Sequence, residues 1–274
     1  MGALRARRRQ RRDALRRGGA PAPHETGDRT TPKRPPVWLF DLDNTLHDAS
    51  HAAFEPISVA MTRYIAEHLA LEDAAATALR QRYWKRYGAT LLGLVRHHAI
   101  NAAHFLDHTH RLPGLEGRLR SSAHDRAALS RLRGRKFVLT NAPRAYALRV
   151  LDTLGLAGRF EGVLSIEDMA MFGHIRPKPD ARMLRRVAAR LKVPTSRCVL
   201  VEDTLEHQKA AHGLGMTTVW MRRYLGGRYR GPLSALDRVR REGSRPPVEV
   251  GVHACPKPAY VYAKINSLQK LMRA

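Results

Sequence analysis

Two aspartates separated by one residue lie at the end of an apolar segment near the start of the chain. The segment 37–42 predicts a strand that contains Asp41, and Asp43 follows it directly. Because side chains alternate along an extended chain, both carboxylates lie on one face while Leu42 turns into the core. Two carboxylates this close repel each other, which implies a cation or a shared proton. The spacing suits an aspartyl nucleophile beside a general acid and base, and it also occurs in solvated carboxylates at strand ends.

Polar residues also follow two other predicted strands. They are Thr140-Asn141 after residues 136–139 and Glu202-Asp203 after residues 198–201. A fourth candidate, Lys178, lies in the loop 176–180 before a predicted helix. Because open parallel sheets place their sites at the carboxyl ends of strands, we expect these groups to lie close together.

The elements that position these residues follow from the apolar pattern. Residues 49–121 carry apolar side chains at helical spacing, beginning with Phe54, Ile57 and Met61. Thr140-Asn141-Ala142-Pro143 is typical of a helix N-cap and predicts a helix that ends near Leu154. The other predicted elements are strands over 37–42, 136–139, 162–165, 198–201 and 217–221, and a helix over 206–212. This alternation indicates an α/β fold with a doubly wound parallel sheet.

The pattern weakens after Tyr224. A segment rich in Gly, Arg and Pro follows and predicts a loop. Beyond it, short strands are predicted over residues 248–252 and 259–261, and an amphipathic helix over 265–272.

The composition is that of a globular protein with an excess of positive charge. The chain has 274 residues, 43% of them hydrophobic, and a formal net charge of +25. No apolar stretch is long enough to predict a membrane span. Cys198 and Cys255 have no metal-type spacing, and so few thiols suggest a reducing, cytoplasmic location.

Residues 1–35 form a basic tail that is predicted to be disordered. They contain 11 Lys and Arg against 3 Asp and Glu. The tail has no apolar segment of the kind found in a secretory signal. Three interpretations stay open: a solvated tail, an arm that binds nucleic acid, and sequence upstream of the true start, which leaves open whether Met1 is that start.

Four of the polar groups, taken in order, resemble the four motifs of the haloacid dehalogenase superfamily of phosphohydrolases. They are Asp-Leu-Asp-Asn-Thr at 41–45, Leu-Thr-Asn at 139–141, Lys178, and Glu-Asp at 202–203. The resemblance covers about residues 36–222. It implies a Rossmann-like core and hydrolysis of a small phosphorylated substrate through an aspartyl phosphate.

The resemblance implies a role for each motif residue. Asp41 would attack phosphorus, and Asp43 would protonate the leaving alkoxide and later deprotonate the attacking water. An acid at position 43 favours a phosphatase over a dehalogenase, because cleavage of a carbon–halogen bond requires no general acid. Thr140 and Asn141 would bind phosphate, with Asn141 orienting the nucleophile as an alternative, and Lys178 would neutralise charge.

The resemblance also implies a Mg²⁺ cofactor. Asp41 and Asp203 would supply carboxylates and Asp43 its backbone carbonyl, while Glu202 would reach the ion through water. The family often has a further acid about four residues after position 203. This chain has His207 there, with Glu206 as a candidate substitute.

The insertion at 49–121 resembles the helical cap that selects substrates in this superfamily. The segment from Tyr87 to Leu94 and the Asn44 form of the first motif are similar to bacterial and fungal pyrimidine 5′-nucleotidases. Trp84 and Tyr87, together with Tyr83, could stack on a base. The alternative is an aromatic stripe that packs the core of the cap.

The predicted organisation is therefore a tail (1–35), a catalytic core (36–48 and 122–222), a helical cap (49–121) and a C-terminal extension (223–274). The predicted function is Mg²⁺-dependent hydrolysis of a phosphate monoester, with a pyrimidine nucleoside 5′-monophosphate as substrate. Three alternatives are a sugar-phosphate or phosphoglycolate phosphatase, a phosphomutase, and a regulatory module without catalysis on the same fold. No membrane is expected as a partner, and nucleic acid only through the tail.

Overall fold

The computed structural model of the chain describes residues 35–120, 122–225 and 256–272. Six strands among these residues form one sheet in which every neighbouring pair is parallel, in the order β3–β2–β1–β6–β7–β8. They are β1 (Val37–Phe40), β2 (Arg135–Leu139), β3 (Gly162–Leu164), β6 (Cys198–Glu202), β7 (Thr217–Met221) and β8 (Ala263–Ile265). A separate antiparallel hairpin consists of β4 (Ala170–Met171) and β5 (His174–Ile175).

Helices connect most of the strands. Those between β1 and β2 are α1 (Ala49–Ala52), α2 (Phe54–Leu69), α3 (Asp73–Tyr87), α4 (Thr90–His98), α5 (Ala102–His110), α6 (Leu115–Arg118) and α7 (Ala123–Arg131). The later ones are α8 (Arg144–Thr153), α9 (Ala181–Arg190) and α10 (Leu205–His212). Short 3₁₀ helices lie at Ala157–Arg159, Ile166–Met169, Thr195–Arg197, Arg223–Leu225 and Leu268–Met272.

The central strand β1 is apolar because both faces of the sheet are covered. All four of its residues are buried. Val37 and Leu39 pack into an apolar cluster with α9 and α10, which contains Leu184 and Ala211. Trp38 and Phe40 pack into the cluster on the opposite face, with α7 and α8. Burial on both faces is typical of a parallel sheet, and the predicted doubly wound α/β fold is confirmed.

The helices α2 to α5 form a third apolar cluster, built largely from residues of the predicted cap. Tyr64, Leu79, Leu94 and Phe105 are among its buried members. Two of its members come from the rest of the chain: Ile166 is buried in it, and Ile175 is partly buried against it. The predicted helical content of 49–121 is confirmed, since helices occupy most of that segment. The division into catalytic core and cap stays a prediction.

Three local expectations differ from the structure. The strand predicted over 259–261 is wrong, because the strand lies at Ala263–Ile265, where it pairs with β7. The helix predicted over 265–272 is also wrong, because Ile265 ends β8 and only Leu268–Met272 forms a 3₁₀ helix. The N-cap residue of α8 is Pro143 rather than Thr140 or Asn141. In the first case the pairing with β7 outweighs the local pattern.

The segment predicted as a C-terminal extension contributes to the sheet. Its strand β8 is the edge neighbour of β7, and Leu268 and Leu271 are buried in the cluster beside α7 and α8. The strand predicted over 248–252 and residues 1–34 of the predicted basic tail (1–35) lie outside the described residues. Among the residues that the structure describes, no helix is long and apolar enough to cross a membrane.

Candidate active site

The carboxyl ends of β1, β2 and β6 lie within one residue of the same level of the sheet. Phe40 pairs with Val138 on one side and with Val201 on the other. Asp41 follows at once, and its backbone N–H donates to the Val201 carbonyl over 2.9 Å. The strand ends therefore bring their polar residues to one edge, as the alternating pattern predicts.

Lys178 lies between two of the carboxylates. Its Nζ donates to Asp41 Oδ1 and to Glu202 Oε2, with both N···O distances 2.7 Å. All three residues are buried, with exposed fractions of 6% or less. Because a buried ammonium requires compensating anions, this bridge fixes the positions of both carboxylates relative to the lysine.

Asn141 holds the loop that carries Lys178. Its side-chain amide donates to the Lys178 carbonyl over 3.1 Å and accepts from the Lys178 N–H over 2.9 Å. The next turn is fixed by Asp180, which caps α9 by accepting from the backbone N–H groups of Arg182 and Met183. Asn141 thus acts on the backbone of the lysine loop and does not cap α8.

The cluster holds more negative than positive charge. Carboxylate oxygens of Asp41, Glu202 and Asp203 lie within 4.8 Å of one another, against the single ammonium of Lys178. Burial, then repulsion by Glu202, raises the pKa of Asp41 to about 7. Burial and both neighbouring carboxylates raise the pKa of Asp203 well above its ordinary value.

Glu202 is the carboxylate that stays ionised. Burial opposes its ionisation, but Lys178 and His207 outweigh that effect and hold its pKa well below the usual range. Nδ1 of His207 lies 3.2 Å from Glu202 Oε2. The Thr204 N–H donates to the other oxygen over 3.2 Å. His207, which lies four residues after Asp203, is therefore in contact with Glu202, whereas Glu206 is exposed.

The donor set fits a hard divalent cation. Three carboxylates with one ammonium leave uncompensated negative charge in a buried place, and oxygen ligands of this kind suit Mg²⁺. Since both oxygens of Glu202 already accept hydrogen bonds or contact Lys178, Asp41 and Asp203 are the carboxylates better able to take an ion directly. Among the described residues, this is the one group of three close carboxylate, imidazole or thiol ligands.

Asp43 has two buried partners that the sequence interpretation missed. Its Oδ1 accepts from the Tyr146 hydroxyl over 2.8 Å and lies 2.9 Å from His47 Nε2. His47 and Tyr146 are both buried, with exposed fractions of 0% and 2%. The four-residue spacing from Asp43 to His47 was a usable signal, but the contact with α8 requires the tertiary fold.

The turn after Asp43 accounts for Asn44. Its φ of 58° lies in the left-handed region, which asparagine tolerates better than most residues. Its side-chain amide donates to Ser50 Oγ over 2.9 Å, and its amide oxygen accepts from the Ser50 N–H over 3.0 Å. Asn44 is therefore explained by the turn that leads into α1.

The remaining predicted residues fall into two groups. Thr140 is buried directly after β2, and its hydroxyl oxygen accepts from the Ala142 N–H over 3.0 Å. Trp84 and Tyr87 lie on α3 of the predicted cap. Both are partly exposed, and the Tyr87 hydroxyl lies 2.6 Å from His97 Nε2. Tyr83 is buried in the cap cluster.

A sequence profile of haloacid dehalogenase-like hydrolases matches residues 37–215. This range covers the strand ends, the lysine loop and the acidic pair, and it is more than half of the chain. The chain belongs to the haloacid dehalogenase-like hydrolases.

Individual relatives are distant. The yeast Saccharomyces cerevisiae protein named phosphate metabolism protein 8 is 23% identical over 193 residues, which cover 66% of this chain and 59% of that protein. This chain therefore matches less than two thirds of the length of that relative. A HAD phosphatase from Thermococcus onnurineus has a similar fold, with a TM-score of 0.54, 18% identity and coverage of 87% of this chain and 96% of that one. A haloacid dehalogenase-like hydrolase from Bacteroides fragilis has a TM-score of 0.51 and 18% identity, covering 87% of this chain and 100% of its own.

Proposed function

We propose that the chain hydrolyses phosphate monoesters through an aspartyl phosphate formed on Asp41. The observation that carries the proposal is the Lys178 ammonium held 2.7 Å from both Asp41 and Glu202. A carboxylate nucleophile must approach a phosphoryl group that is itself negative. A preorganised ammonium ion beside the nucleophile offsets part of that repulsion without any rearrangement.

The proposed reaction has two steps. An oxygen of Asp41 forms a bond to phosphorus while the bond from phosphorus to the alcohol oxygen breaks, and Asp43 donates a proton to the leaving alkoxide. Asp43, now ionised, then takes a proton from a water whose oxygen attacks phosphorus, and the bond to Asp41 breaks. An alcohol and inorganic phosphate leave, and both aspartates return to their starting states.

The neighbouring residues bind and orient. Lys178 and the Thr140 hydroxyl would contact the phosphoryl oxygens, since the Lys178 ammonium lies 2.7 Å from Asp41 and Thr140 follows β2, the strand paired with β1. Asn141 supports the first of these contacts, because its amide holds the backbone of Lys178 through two hydrogen bonds.

Mg²⁺ is the proposed cofactor. The carboxylates of Asp41 and Asp203 and the backbone carbonyl of Asp43 would hold it, with Glu202 in the outer shell. When bound, the ion supplies the positive charge that keeps Asp41 ionised beside a phosphate dianion. The raised pKa of Asp41, about 7, is the effect that such a charge would reverse.

A pyrimidine nucleoside 5′-monophosphate is the proposed substrate. Support comes from the sequence of the cap from Tyr87 to Leu94, and from the partial exposure of Trp84 and Tyr87 on one helix. An aromatic side chain that stacks on a base contributes about 1–3 kcal/mol.

Phosphate release from a panel of substrates tests the proposal. The panel contains pyrimidine and purine nucleoside monophosphates, sugar phosphates and phosphoglycolate, each with Mg²⁺ and with EDTA. We expect Mg²⁺-dependent release that is fastest with UMP or CMP and absent in Asp41→Asn. Full activity in EDTA would contradict the proposed dependence on Mg²⁺. Formation of an isomerised sugar phosphate without free phosphate would indicate a mutase. Equal rates on all esters would contradict the proposed nucleotide substrate and leave the proposed hydrolysis of phosphate monoesters standing.

Variants of the cap test the base contact separately. Trp84→Ala and Tyr87→Ala are expected to raise KM for UMP by roughly 5- to 150-fold, the equivalent of the stacking energy, and to leave KM for 4-nitrophenyl phosphate within about threefold. Tyr83→Phe is the matched control, because Tyr83 is buried in the cap cluster. Equal losses on both substrates would show damaged packing instead of base recognition.

A further inference from the structure

Asp43 is held by a pair of buried side chains from two different parts of the fold. His47 lies in the loop after β1, and Tyr146 lies on α8. Their polar atoms meet at one carboxylate oxygen, Oδ1, at 2.9 Å and 2.8 Å. The two rings also contact each other, with centroids 6.5 Å apart. The Asp43 side chain between them is 20% exposed, so it is partly open to a substrate.

We propose that His47 and Tyr146 are positioning residues for the general acid and base Asp43. They fix Oδ1 and leave Oδ2 to carry the proton to the leaving group and from the attacking water. The inference rests on the proposed function, and it adds two residues that the four family motifs do not contain.

The directions of the hydrogen bonds agree with this role. Tyr146 is a donor, since burial and then the charge of Asp43 raise the pKa of its hydroxyl well above the ordinary value. Oδ1 accepts that bond, so His47 must present Nε2–H to the same oxygen. Two donors on one oxygen restrict rotation of the carboxyl group about its Cβ–Cγ bond. Fixing a proton donor in this way is worth up to about 100-fold in rate, because a displacement of about 1 Å can cost that much.

Stability alone does not explain a histidine at position 47. The side chain is completely buried, and its Nδ1 has no hydrogen-bond partner among the described residues. An unpaired buried polar atom costs on the order of 1–3 kcal/mol. An apolar side chain of similar volume would fill the same space without that cost, so the contact with Asp43 is the feature that requires histidine.

Tyr146 also connects Asp43 to the predicted cap. The ring of His110, the last residue of α5, packs edge-on against the Tyr146 ring with centroids 5.7 Å apart. The end of the α2–α5 bundle thus touches the residue that holds the general acid. The same phenol therefore has one neighbour in the site and one in the bundle.

The test compares two substrates that differ in their need for a proton. Glycerol 2-phosphate releases an alkoxide that requires one, whereas 4-nitrophenyl phosphate releases a phenolate that departs without it. The value of kcat/KM covers the steps up to departure of the alcohol, so it isolates the first proton transfer. We expect His47→Phe and Tyr146→Phe to lower kcat/KM for glycerol 2-phosphate roughly 10- to 100-fold and for 4-nitrophenyl phosphate less than about threefold.

Three further variants separate positioning from packing. His47→Gln retains a donor near Nε2 and is expected to recover glycerol 2-phosphate activity to within about threefold. In an Asp43→Asn background, His47→Phe is expected to cause no further loss, because it acts through Asp43. Tyr64→Phe is the control, since it removes a buried hydroxyl that bonds His104 over 2.7 Å, away from Asp43.

The outcomes are distinct. A selective loss with glycerol 2-phosphate, rescue by His47→Gln and no added loss in Asp43→Asn would support the positioning role. Equal losses on both substrates, or further loss in the Asp43→Asn background, would overturn it and leave the hydrolysis intact. Phosphate release from neither substrate by the wild-type chain would overturn the proposed function itself, and the positioning role with it.

Discussion

At the scale of single residues, the site is governed by an imbalance of buried charge. Lys178 is the one ammonium in hydrogen-bond contact with Asp41 and Glu202 among the described residues. Breaking a buried pair by removing one partner costs about 3–5 kcal/mol, because the other charge is left without compensation. Here two carboxylates depend on the same lysine, so the lysine affects both stability and chemistry.

Replacement of the lysine tests this dependence. Lys178→Met retains much of the side-chain volume and removes the charge. We expect the free energy of unfolding to fall by about 3–5 kcal/mol and phosphate release to be lost. Urea denaturation gives the first quantity and a phosphate assay the second. Lys209→Met is the control, since Lys209 is exposed on α10 and is expected to change stability by less than about 0.5 kcal/mol. An unchanged free energy of unfolding for Lys178→Met would show that the two buried carboxylates do not depend on the charge of the lysine.

Sequence reasoning identified the residues at strand ends more readily than the residues that support them. Asp41, Thr140 and Asp203 follow apolar runs, and that position alone predicts their meeting at one edge of the sheet. The contact of Tyr146 with Asp43 spans 103 positions of the chain, and no local pattern encodes it. The amide of Asn141 likewise finds the backbone of Lys178 through the tertiary fold.

At the scale of elements, α3 and α4 of the α2–α5 bundle approach each other closely at a glycine. A Cβ atom built at Gly93 on α4 would lie 2.2 Å from Cγ of the Tyr83 ring on α3. That ring is buried, with an exposed fraction of 6%. Helical periodicity predicted the helices of 49–121, but it could not show which glycine sits against an aromatic ring.

Gly93→Ala tests this contact. Alanine gains about 1 kcal/mol in helix propensity, but overpacking a core costs about 1–3 kcal/mol. At 2.2 Å the clash cannot be relieved without moving the ring, so we expect net destabilisation. Gly117→Ala is the matched control, because nothing lies within 4 Å of a Cβ at that helical position. Thermal unfolding measures both; an equal or higher Tm for Gly93→Ala would contradict the packing described.

At the scale of the whole molecule, the sheet joins segments from both ends of the described chain. The edge strand β8 pairs with β7, and Leu268 and Leu271 enter the same cluster as Trp38 and Phe40. The sequence pattern placed this strand four residues too early, because its pairing with β7 decides its register. The central strands were predicted closely, since their runs of buried apolar residues need no partner to be recognised.

The charge of the site also affects the stability of the whole fold. The pKa of Asp41 is raised from its ordinary value of 3.8 to about 7. In the pH range between these two values, the folded chain therefore binds more protons at Asp41 than the unfolded chain does. Stability therefore falls as the pH rises through this window. Glu202 opposes the trend only near the lower end of this window, because its lowered pKa keeps it ionised in the folded chain while the unfolded chain, with the ordinary value of 4.5, still binds its proton in part.

Thermal unfolding with and without Mg²⁺ tests this linkage. A cation that binds the ionised carboxylates would raise Tm, and by more near pH 8 than near pH 5. Differential scanning fluorimetry measures the effect. In Asp41→Asn the pH dependence of Tm without Mg²⁺ is expected to be weaker, because position 41 no longer titrates. A shift in Tm that is larger at the lower pH would contradict the charge imbalance at the site.

Covalent phosphorylation of Asp41 is the step on which the proposed hydrolysis depends. The most direct measurement is a rapid acid quench of the chain mixed with Mg²⁺ and 4-nitrophenyl phosphate, followed by digestion and mass spectrometry of the peptide that contains residues 37–46. We predict one added phosphoryl group, located on Asp41, and a larger labelled fraction in Asp43→Asn, where the water-activating base is missing. Phosphate released by the wild-type chain with no phosphoryl group on Asp41 in either form would rule out Asp41 as the nucleophile.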